Sequence, residues 1–297
     1  MIVSTYSIVA CDLAASQWGV AVQSKFLAVG SVVPWAEPGV GAVATQAAGV
    51  AVYGRLVLEA LEGGASPAEA LERVLADDPG RETRQLGVVT ADGRSAAFTG
   101  ADCLDWAGHR TGDGFAVQGN ILAGEAVVDE MVRAFGTSSG PLVSRLASAL
   151  EAGQAAGGDR RGQQSAAVVV ERRNAARESR EGIDRVCDLR VEDHPEPIAE
   201  LRRLVGIWSR WEAQRRAHGA YERGDAATAA DVMAAALAEG GEAADALYNL
   251  ACYESLAGRA DEAVAHLRRA VELDPSFRPL AADDADFAPV RDRIADL

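Results

Sequence analysis

The chain has 297 residues, 48% of them hydrophobic and 25% charged, which is typical of a globular protein with room for about two domains. Its 44 acidic and 29 basic residues give a net charge of −15, which argues against proteins that bind nucleic acid or anionic membranes through a basic face. No apolar run approaches the length of a membrane span, and the N-terminus lacks the charged region of a secretory signal. The sequence therefore predicts a cytoplasmic protein.

Cofactor and metal sites are not predicted. The cysteines are far apart with no CxxC pair, and the histidines show no ligand spacing, so we expect reduced core thiols and no bound metal. A glycine pattern at 39–44 leads into a strand-like run, whereas a dinucleotide site needs a helix there. The GTSSG segment at 136–140 joins two predicted helices, so it does not form a nucleophile elbow. We expect no cofactor.

The first part of the chain alternates between strand and helix patterns. Apolar runs rich in Val and Ile predict strands at 6–10, 18–24, 27–33 and 41–46, with a turn over 34–39. Helical spacing follows at 52–60 and ends at Gly63 and Gly64, and Ser66 with Pro67 begins a second helix.

The next part repeats this order of strands and then helices. Strands are predicted at 85–90, 95–99, 105–109 and 115–119, helices at 125–135 and 141–155, and strands at 166–170 and 185–191. A charge-dense exposed turn is expected over 172–184, and a helix after Pro197. Runs of strands followed by pairs of helices indicate a layered α+β sandwich and not a parallel βαβ fold.

From Ala217 onward the composition becomes helical, with a repeat of 34 residues. Ala229 aligns with Ala263, and Ala236 aligns with Ala270. This period resembles the tetratricopeptide repeat, in which small residues let antiparallel helices approach closely. We therefore predict two domains, 1–205 and 206–297, the second with at least three helices and with these alanines at the helix contacts.

Several segments within residues 4–205 together resemble one known family. They are SIVA at 7–10, GVAV at 19–22, PWA at 34–36, GAVATQ at 41–46, RQLGVV at 84–89, WAGH at 106–109, VQGNIL at 117–122 and AGQAAGGDRRG at 152–162. The family is domain of unknown function 1028, whose fold is similar to that of the N-terminal-nucleophile (Ntn) hydrolases. The resemblance implies an α+β fold, a four-layer αββα Ntn-hydrolase-like sandwich, followed here by an all-α TPR-like tail.

The resemblance also implies candidate catalytic residues. In Ntn hydrolases, the residue that begins the first strand supplies the nucleophile, and its own α-amine is the base. Thr5 matches that position, Asp159 resembles the acid that supports the amine, and Lys25 is a weaker match to a nearby cation. Thr5 follows four residues, so its amine is free only if the Ser4–Thr5 bond is cut. The alternative is that Thr5 is an ordinary strand residue and Lys25 an ordinary turn lysine.

Five further residues are candidate substrate-binding groups: His109, Gln118, Asn120, Arg160 and Arg161. His109 either contacts substrate or is a packed ring, and Gln118 and Asn120 either line a pocket or satisfy loop backbone. Arg160 and Arg161 either bind a carboxylate through their guanidinium groups or stabilise the turn.

Three hypotheses for function remain open at this point. The first is a hydrolase that cleaves an amide or related C–N bond of a small, anionic metabolite, with Thr5 as the nucleophile and Asp159 as the supporting acid. The second is a catalytically silent Ntn-like scaffold that binds a ligand or a protein partner through its pocket and TPR-like tail. The third is an enzyme that uses His109 and a bound water. A homo-oligomer is compatible with each.

Overall fold

The computed structural model describes residues 5–178, 183–295 and 297. The chain divides into two compact units, residues 1–205 and 206–297. No helix among the described residues combines the length and the apolar character that a membrane span requires. The four cysteines are all free thiols.

The first unit contains two antiparallel sheets. The strands are Thr5–Asp12 (β1), Gln17–Ser24 (β2), Pro34–Glu37 (β3), Gly41–Ala47 (β4), Arg84–Thr90 (β5), Ser95–Thr99 (β6), Gly108–Gly112 (β7), Phe115–Asn120 (β8), Ser165–Arg172 (β9) and Arg185–Val191 (β10). One sheet has the order β10-β9-β2-β1-β8-β7, and the other has the order β3-β4-β5-β6. The mixed α+β class with antiparallel sheets is therefore confirmed.

Two helix pairs cover these sheets. The helices of this unit are Val52–Glu62 (α1), Pro67–Leu75 (α2), Ala126–Thr137 (α3), Leu142–Ala155 (α4) and Ala175–Glu178 (α5). Helices α1 and α2 pack against the four-stranded sheet, and α3 and α4 pack against the six-stranded sheet. The two sheets also contact each other, with β1 against β4 and β5 against β8.

The predicted start of α2 is confirmed in detail. Ser66 accepts a hydrogen bond from the backbone N–H of Glu69, and the Glu69 carboxylate accepts one from the backbone N–H of Ser66. This reciprocal pair satisfies two donors that a helix start otherwise leaves without partners.

The prediction of a strand over 27–33 is wrong. Ala28 adopts a left-handed conformation, with φ 54°, and Val29–Ser31 forms a single 3₁₀ turn. The strand lies instead at Pro34–Glu37, where a turn was predicted. Because β3 is an edge strand, the missing N–H of Pro34 can face away from the neighbouring strand. The predicted turn over 172–184 contains helix α5, and its residues 179–182 lie outside the described part of the chain.

The space between the sheets is filled by small apolar side chains toward one end. Val9, Val20 and Val22 from the six-stranded sheet pack against Ala42 and Ala44 from the four-stranded sheet. Side chains alternate between the two faces of a strand, so the residues two positions before Val9 on β1, after Val22 on β2 and after Ala44 on β4 must face the same space. Those positions are polar, and they form the candidate site described below.

The second unit is helical. A helix over Pro197–Glu222 (α6) continues into it, followed by Ala226–Gly240 (α7), Ala244–Leu256 (α8), Ala260–Leu273 (α9), Phe277–Asp283 (α10) and Arg291–Ile294 (α11). Helix α8 contacts both α7 and α9. Ala229, Ala263 and Ala270 are fully buried, and Ala236 is half-buried, as the spacing of small residues predicts.

Three side chains that could bind a metal meet in this tail. Cys252, Asp284 and Asp286 present ligand atoms within 4.8 Å of one another. The Tyr248 hydroxyl donates to Asp284 Oδ2 at 2.7 Å, and the Tyr221 hydroxyl donates to Asp286 Oδ1 at 3.0 Å. These contacts give the cluster a structural function, because they join the last turns of the tail to α6 and α8.

A partly buried ion pair gives the tail a pH-dependent contribution to stability. His266 Nδ1 lies 2.7 Å from the buried carboxylate of Glu254. The hydrogen bond to Glu254, together with the charge of that carboxylate, raises the pKa of His266. A raised pKa stabilises the folded state fully below the unfolded value of about 6.5, and this stabilisation is lost as the pH rises through the folded value.

We therefore expect His266→Gln to destabilise the chain more at pH 6 than at pH 9. The expected difference is about 0.5–1 kcal/mol, because solvent screens the partly exposed ring. Urea unfolding at the two pH values measures it. His218→Gln is the control, since His218 pairs with Glu222 on an exposed helix surface. An equal effect of His266→Gln at both pH values would contradict the prediction.

Candidate functional site

A cluster of polar side chains occupies one end of the space between the two sheets. On β1, Thr5 and Ser7 continue the inward-facing row of Val9, and on β4, Gln46 continues the row of Ala44. We call this cluster the polar end; its members are Thr5, Ser7, Ser24, Gln46, Gln85, Thr99, His109, Gln118 and Asn120. Thr99 and His109 are partly buried, and the others are fully or almost fully buried. Such groups are tolerated inside a protein only when they are hydrogen-bonded.

Thr5 begins β1 and lies between two neighbouring strands. Its register partners are Ser24 on β2 and Asn120 on β8. The Thr5 hydroxyl donates to Ser24 Oγ at 3.3 Å, and the Thr5 carbonyl accepts from Gln46 Nε2 at 3.3 Å. Its side chain is fully buried. Residues 1–4, and with them the Ser4–Thr5 bond, lie outside the described part of the chain.

Gln46 connects β1 to the opposite sheet. Its Oε1 accepts from Ser7 Oγ at 2.6 Å, and Gln118 Nε2 donates to the same Ser7 oxygen at 2.6 Å. Its Nε2 lies 2.8 Å from Gln85 Oε1 and 3.3 Å from the carbonyl of Gln118. Both ends of this carboxamide are therefore held, and its orientation is fixed.

Gln85 is the centre of the network. Its Oε1 accepts from Gln46 Nε2 at 2.8 Å and from Asn120 Nδ2 at 2.9 Å. Its Nε2 lies 2.7 Å from the carbonyl of Gly119, 3.0 Å from Thr99 Oγ1 and 3.2 Å from the carbonyl of Gly108, so three acceptors share its two protons. This one side chain thus joins strands β4, β6, β7 and β8.

His109 ends the network at its more exposed side. Its Nδ1 lies 2.8 Å from Thr99 Oγ1. Because Thr99 Oγ1 already accepts from Gln85 Nε2, its own proton is available for the imidazole nitrogen. Burial lowers the pKa of His109, and the neighbouring charge of Arg110 lowers it further. Both effects favour the neutral ring that this acceptor role requires.

Asp159 lies at the end of β2, next to the residues that flank Thr5. Its Oδ2 accepts from the backbone N–H of Lys25 at 3.2 Å, and Lys25 directly follows Ser24. Arg161 binds both carboxylate oxygens, with Nε 3.2 Å from Oδ1 and Nη2 2.9 Å from Oδ2. The Asp159 side chain is fully buried, whereas that of Arg161 is 36% exposed. Arg161 therefore neutralises and orients this carboxylate.

Arg160 and Lys25 lie at the surface of the same region. The backbone N–H of Arg160 donates to the carbonyl of Ile121, the residue after Asn120, and its Nη1 donates to the carbonyl of Asp105 at 3.1 Å. The Lys25 ammonium donates to the carbonyl of Gln163 at 3.1 Å. Both cations are exposed, so they can meet an anion that arrives from solvent.

All seven predicted site residues lie at the same end of the first unit. Thr5, Gln118 and Asn120 are linked through Gln46 and Gln85, and the remaining four are linked to them through neighbouring residues: His109, Asp159, Arg160 and Arg161. Five members of the polar end were not predicted: Ser7, Ser24, Gln46, Gln85 and Thr99. The available signal was a polar residue at an inward-facing position of an otherwise apolar strand, as in ATQA at 44–47 and RQLGVV at 84–89.

The backbone next to the network is strained. Ala47 and Ile121 directly follow Gln46 and Asn120, and they adopt positive φ values of 66° and 53°. Non-glycine residues in this region cost about 1–3 kcal/mol each, and such strain concentrates at functional sites. The cost is higher for a β-branched residue such as Ile121. The strain therefore supports a functional role for the polar end.

Comparison with known proteins identifies the family. A model of DUF1028, a family of unknown function, matches residues 5–201. The chain belongs to this family. The crystal structure of the DUF1028 protein SPO2555 from Silicibacter pomeroyi is similar, with 32% sequence identity and a TM-score of 0.62, over 68% of this chain and 84% of that chain. Among curated proteins, no match was found. The family predicted from the sequence is confirmed, and DUF1028 membership by itself assigns no activity.

Proposed function

We propose that this DUF1028 protein is an Ntn-type hydrolase that cleaves an amide or related C–N bond of a small, anionic metabolite, with Thr5 as the nucleophile. The observation that carries the proposal is the placement of Thr5. It begins a central strand, its hydroxyl meets Ser24 Oγ at 3.3 Å, and its carbonyl is bound by Gln46 from the opposite sheet. The Thr5 hydroxyl therefore lies beside a second hydroxyl, and the backbone of Thr5 is held from the opposite sheet.

Two further observations support the proposal. Helix pairs pack on the outer faces of two sheets that contact each other, which supports a four-layer αββα sandwich of the Ntn type. The family match begins at Thr5, so residues 1–4 lie outside it. Hydrolysis of the Ser4–Thr5 bond would make Thr5 the first residue and would free its α-amine.

The proposed reaction needs no cofactor. The Thr5 amine takes the proton from Oγ, and Oγ attacks the carbonyl carbon of the substrate. The C–N bond breaks, and the leaving nitrogen takes a proton from the Thr5 ammonium. Water then attacks the ester on Thr5, the acyl group leaves as a carboxylic acid, and Thr5 Oγ regains its proton. The negative charge of Asp159 stabilises the ammonium form of the amine, and Arg161 keeps that carboxylate in place.

The exposed cations near the polar end support an anionic substrate. Both Nε and Nη2 of Arg161 are bound to Asp159, so we assign the carboxylate clamp to Arg160, whose guanidinium has one contact to Asp105. Guanidinium groups bind carboxylates with two parallel hydrogen bonds. His109 can offer only Nε2 to a substrate, because Nδ1 is engaged by Thr99. We assign Gln118 and Asn120 to the wall of the pocket.

The experiment combines intact mass with covalent labelling. We expect the purified protein to have lost residues 1–4, and we expect a small carboxylate-bearing β-lactone to add its full mass to Thr5. Thr5 Oγ loses its proton to the α-amine and attacks the lactone carbonyl, the ring acyl–oxygen bond breaks, and the ring oxygen takes that proton and becomes a hydroxyl. Peptide mapping locates the adduct. A protein that keeps residues 1–4 and is not acylated would overturn the hydrolase proposal.

That outcome would favour a second candidate function, a catalytically silent scaffold. The complete burial of Thr5 is the observation that favours it. In this hypothesis the TPR-like tail carries the binding surface. The tail contains a cavity of about 450 Å³ lined mainly by apolar side chains, including Leu267, Val271 and Ile294. The exposed Arg278 also lines this cavity.

A further inference from the structure

Gln46 contacts Thr5 from the opposite sheet. Its Nε2 lies 3.3 Å from the carbonyl oxygen of Thr5 and 3.3 Å from that of Gln118, so one amide group binds both β1 and β8. These contacts are buried, and hydrogen bonds are stronger there than in water because the local dielectric constant is low. Gln46 therefore holds the backbone of Thr5 and not its reactive hydroxyl.

The position of Gln46 is itself fixed from two sides. Ser7 donates to its Oε1 at 2.6 Å, and its Nε2 donates to Gln85 Oε1 at 2.8 Å. The same Gln85 oxygen accepts from Asn120, the register partner of Thr5. Gln46, which binds the Thr5 carbonyl, and Asn120, which pairs with Thr5 in the sheet, therefore both donate to the same oxygen of Gln85 on the four-stranded sheet.

This contact becomes more important if the Ser4–Thr5 bond is cut. A residue at a chain terminus frays unless other contacts hold it. Thr5 would then depend on its ladder with Ser24 and Asn120 and on the bond from Gln46 to its carbonyl. The carbonyl and the amine belong to the same residue, so fixing the carbonyl limits rotation of the amine and the hydroxyl.

We propose that Gln46 is a positioning residue for Thr5, acting through the Thr5 carbonyl, with Gln85 fixing Gln46. The inference rests on the proposed function, because positioning matters for catalysis only if Thr5 is the nucleophile. It adds a role that depends on the opposite sheet and that the Ntn resemblance did not supply.

The chain offers a matched pair of variants for the test. Gln46→Met removes the contact to Thr5 with little change in side-chain volume. Gln23→Met makes the same chemical change on β2, where the equally buried amide of Gln23 has no hydrogen-bond partner among the described residues. Gln46→Asn serves as a second variant, since it keeps an amide but draws it back by one methylene. Near-ultraviolet circular dichroism verifies that each variant is folded.

The first readout is acylation of Thr5 by the β-lactone. We expect Gln46→Met to lower the maximal acylation rate about 10–100-fold, with little change in the half-saturating lactone concentration, because a small misplacement of the nucleophile has effects of this size. Gln23→Met should react as the wild type does. Equal rates for Gln46→Met and the wild type would overturn the inference and leave the hydrolase proposal intact.

The second readout, an NMR chemical shift, does not depend on acylation or on any enzymatic activity. Thr5-Tyr6 is the only Thr-Tyr pair in the sequence, so labelling threonine with carbonyl ¹³C and tyrosine with ¹⁵N gives one NMR cross-peak for the Thr5 carbonyl. We expect this peak to shift in Gln46→Met and to stay in place in Gln23→Met. An unshifted peak in Gln46→Met would overturn the inference even if the wild type is never acylated. A shifted peak in a protein that keeps residues 1–4 and is not acylated would support the contact and overturn only the hydrolase proposal.

Discussion

Replacing Gln85 with leucine is expected to lower the free energy of unfolding of the first unit by roughly 2–6 kcal/mol. The side chain bonds Gln46 and Asn120 through its oxygen, and Gly119, Thr99 and Gly108 through its nitrogen. Each buried polar group that loses its partner costs about 1–3 kcal/mol, and Leu would deprive at least Asn120 Nδ2 and the Gly119 carbonyl of this contact. Urea unfolding of the purified variant measures the loss.

Gln23→Leu is the matched control for this prediction. Gln23 is also fully buried in a strand, but within the part of the chain that the structure describes neither its Oε1 nor its Nε2 has a hydrogen-bond partner. Its replacement removes a desolvated amide and leaves no partner behind, so we expect a neutral or stabilising change. A similar loss for Gln85→Leu and Gln23→Leu would mean that the network contributes no more than side-chain packing does.

Much of the fold could be predicted because its signals are local. The Val- and Ile-rich runs of the central strands, the helical spacing of 52–60 and the Ser66 cap each depend on a few neighbouring residues. The edge strand Pro34–Glu37 was missed because Pro34 and Trp35 stand in a turn-like sequence, and only the position at the sheet edge makes Pro34 acceptable there.

The candidate site was predicted only in part, because its contacts join residues that are far apart in the sequence. Thr5 and Asp159 came from the family resemblance, which attaches roles to particular positions. Gln46 and Gln85 depend on contacts between positions 39 residues apart, and nothing in the sequence near either residue indicates the other. An inward-facing glutamine in an apolar strand signals that a partner exists, but only the packing of one sheet on the other identifies it.

The two neighbouring arginines show the same limit. Arg160 and Arg161 are equivalent in the sequence, and both were predicted to bind substrate. The β-bridge between Leu122 and Asp159 fixes the loop so that Arg161 folds back onto the Asp159 carboxylate, while Arg160 points to the carbonyl of Asp105. Their different contacts support different proposed roles.

Changing Thr5 to alanine is expected to lower the turnover of small carboxylate-bearing p-nitroanilides by about 10⁴-fold or more, because loss of a nucleophile removes the covalent pathway. Thr5→Ser should retain part of the activity, since it keeps the hydroxyl and, after cleavage, the α-amine. Release of p-nitroaniline measures both rates. The alanine variant should remain folded, because it loses one hydrogen bond to Ser24, worth about 1 kcal/mol.

Ser24→Ala distinguishes the role of the nucleophile Thr5 from that of its neighbour Ser24. It removes the acceptor of the Thr5 hydroxyl bond but leaves the hydroxyl and amine of Thr5 in place. We expect a loss of roughly tenfold, the size of one neutral hydrogen bond at about 1.4 kcal/mol. If Thr5→Ala instead keeps full activity while Ser24→Ala does not, the nucleophile is not Thr5. The chemistry would then belong to another residue, and His109 with a bound water would be the next candidate to test.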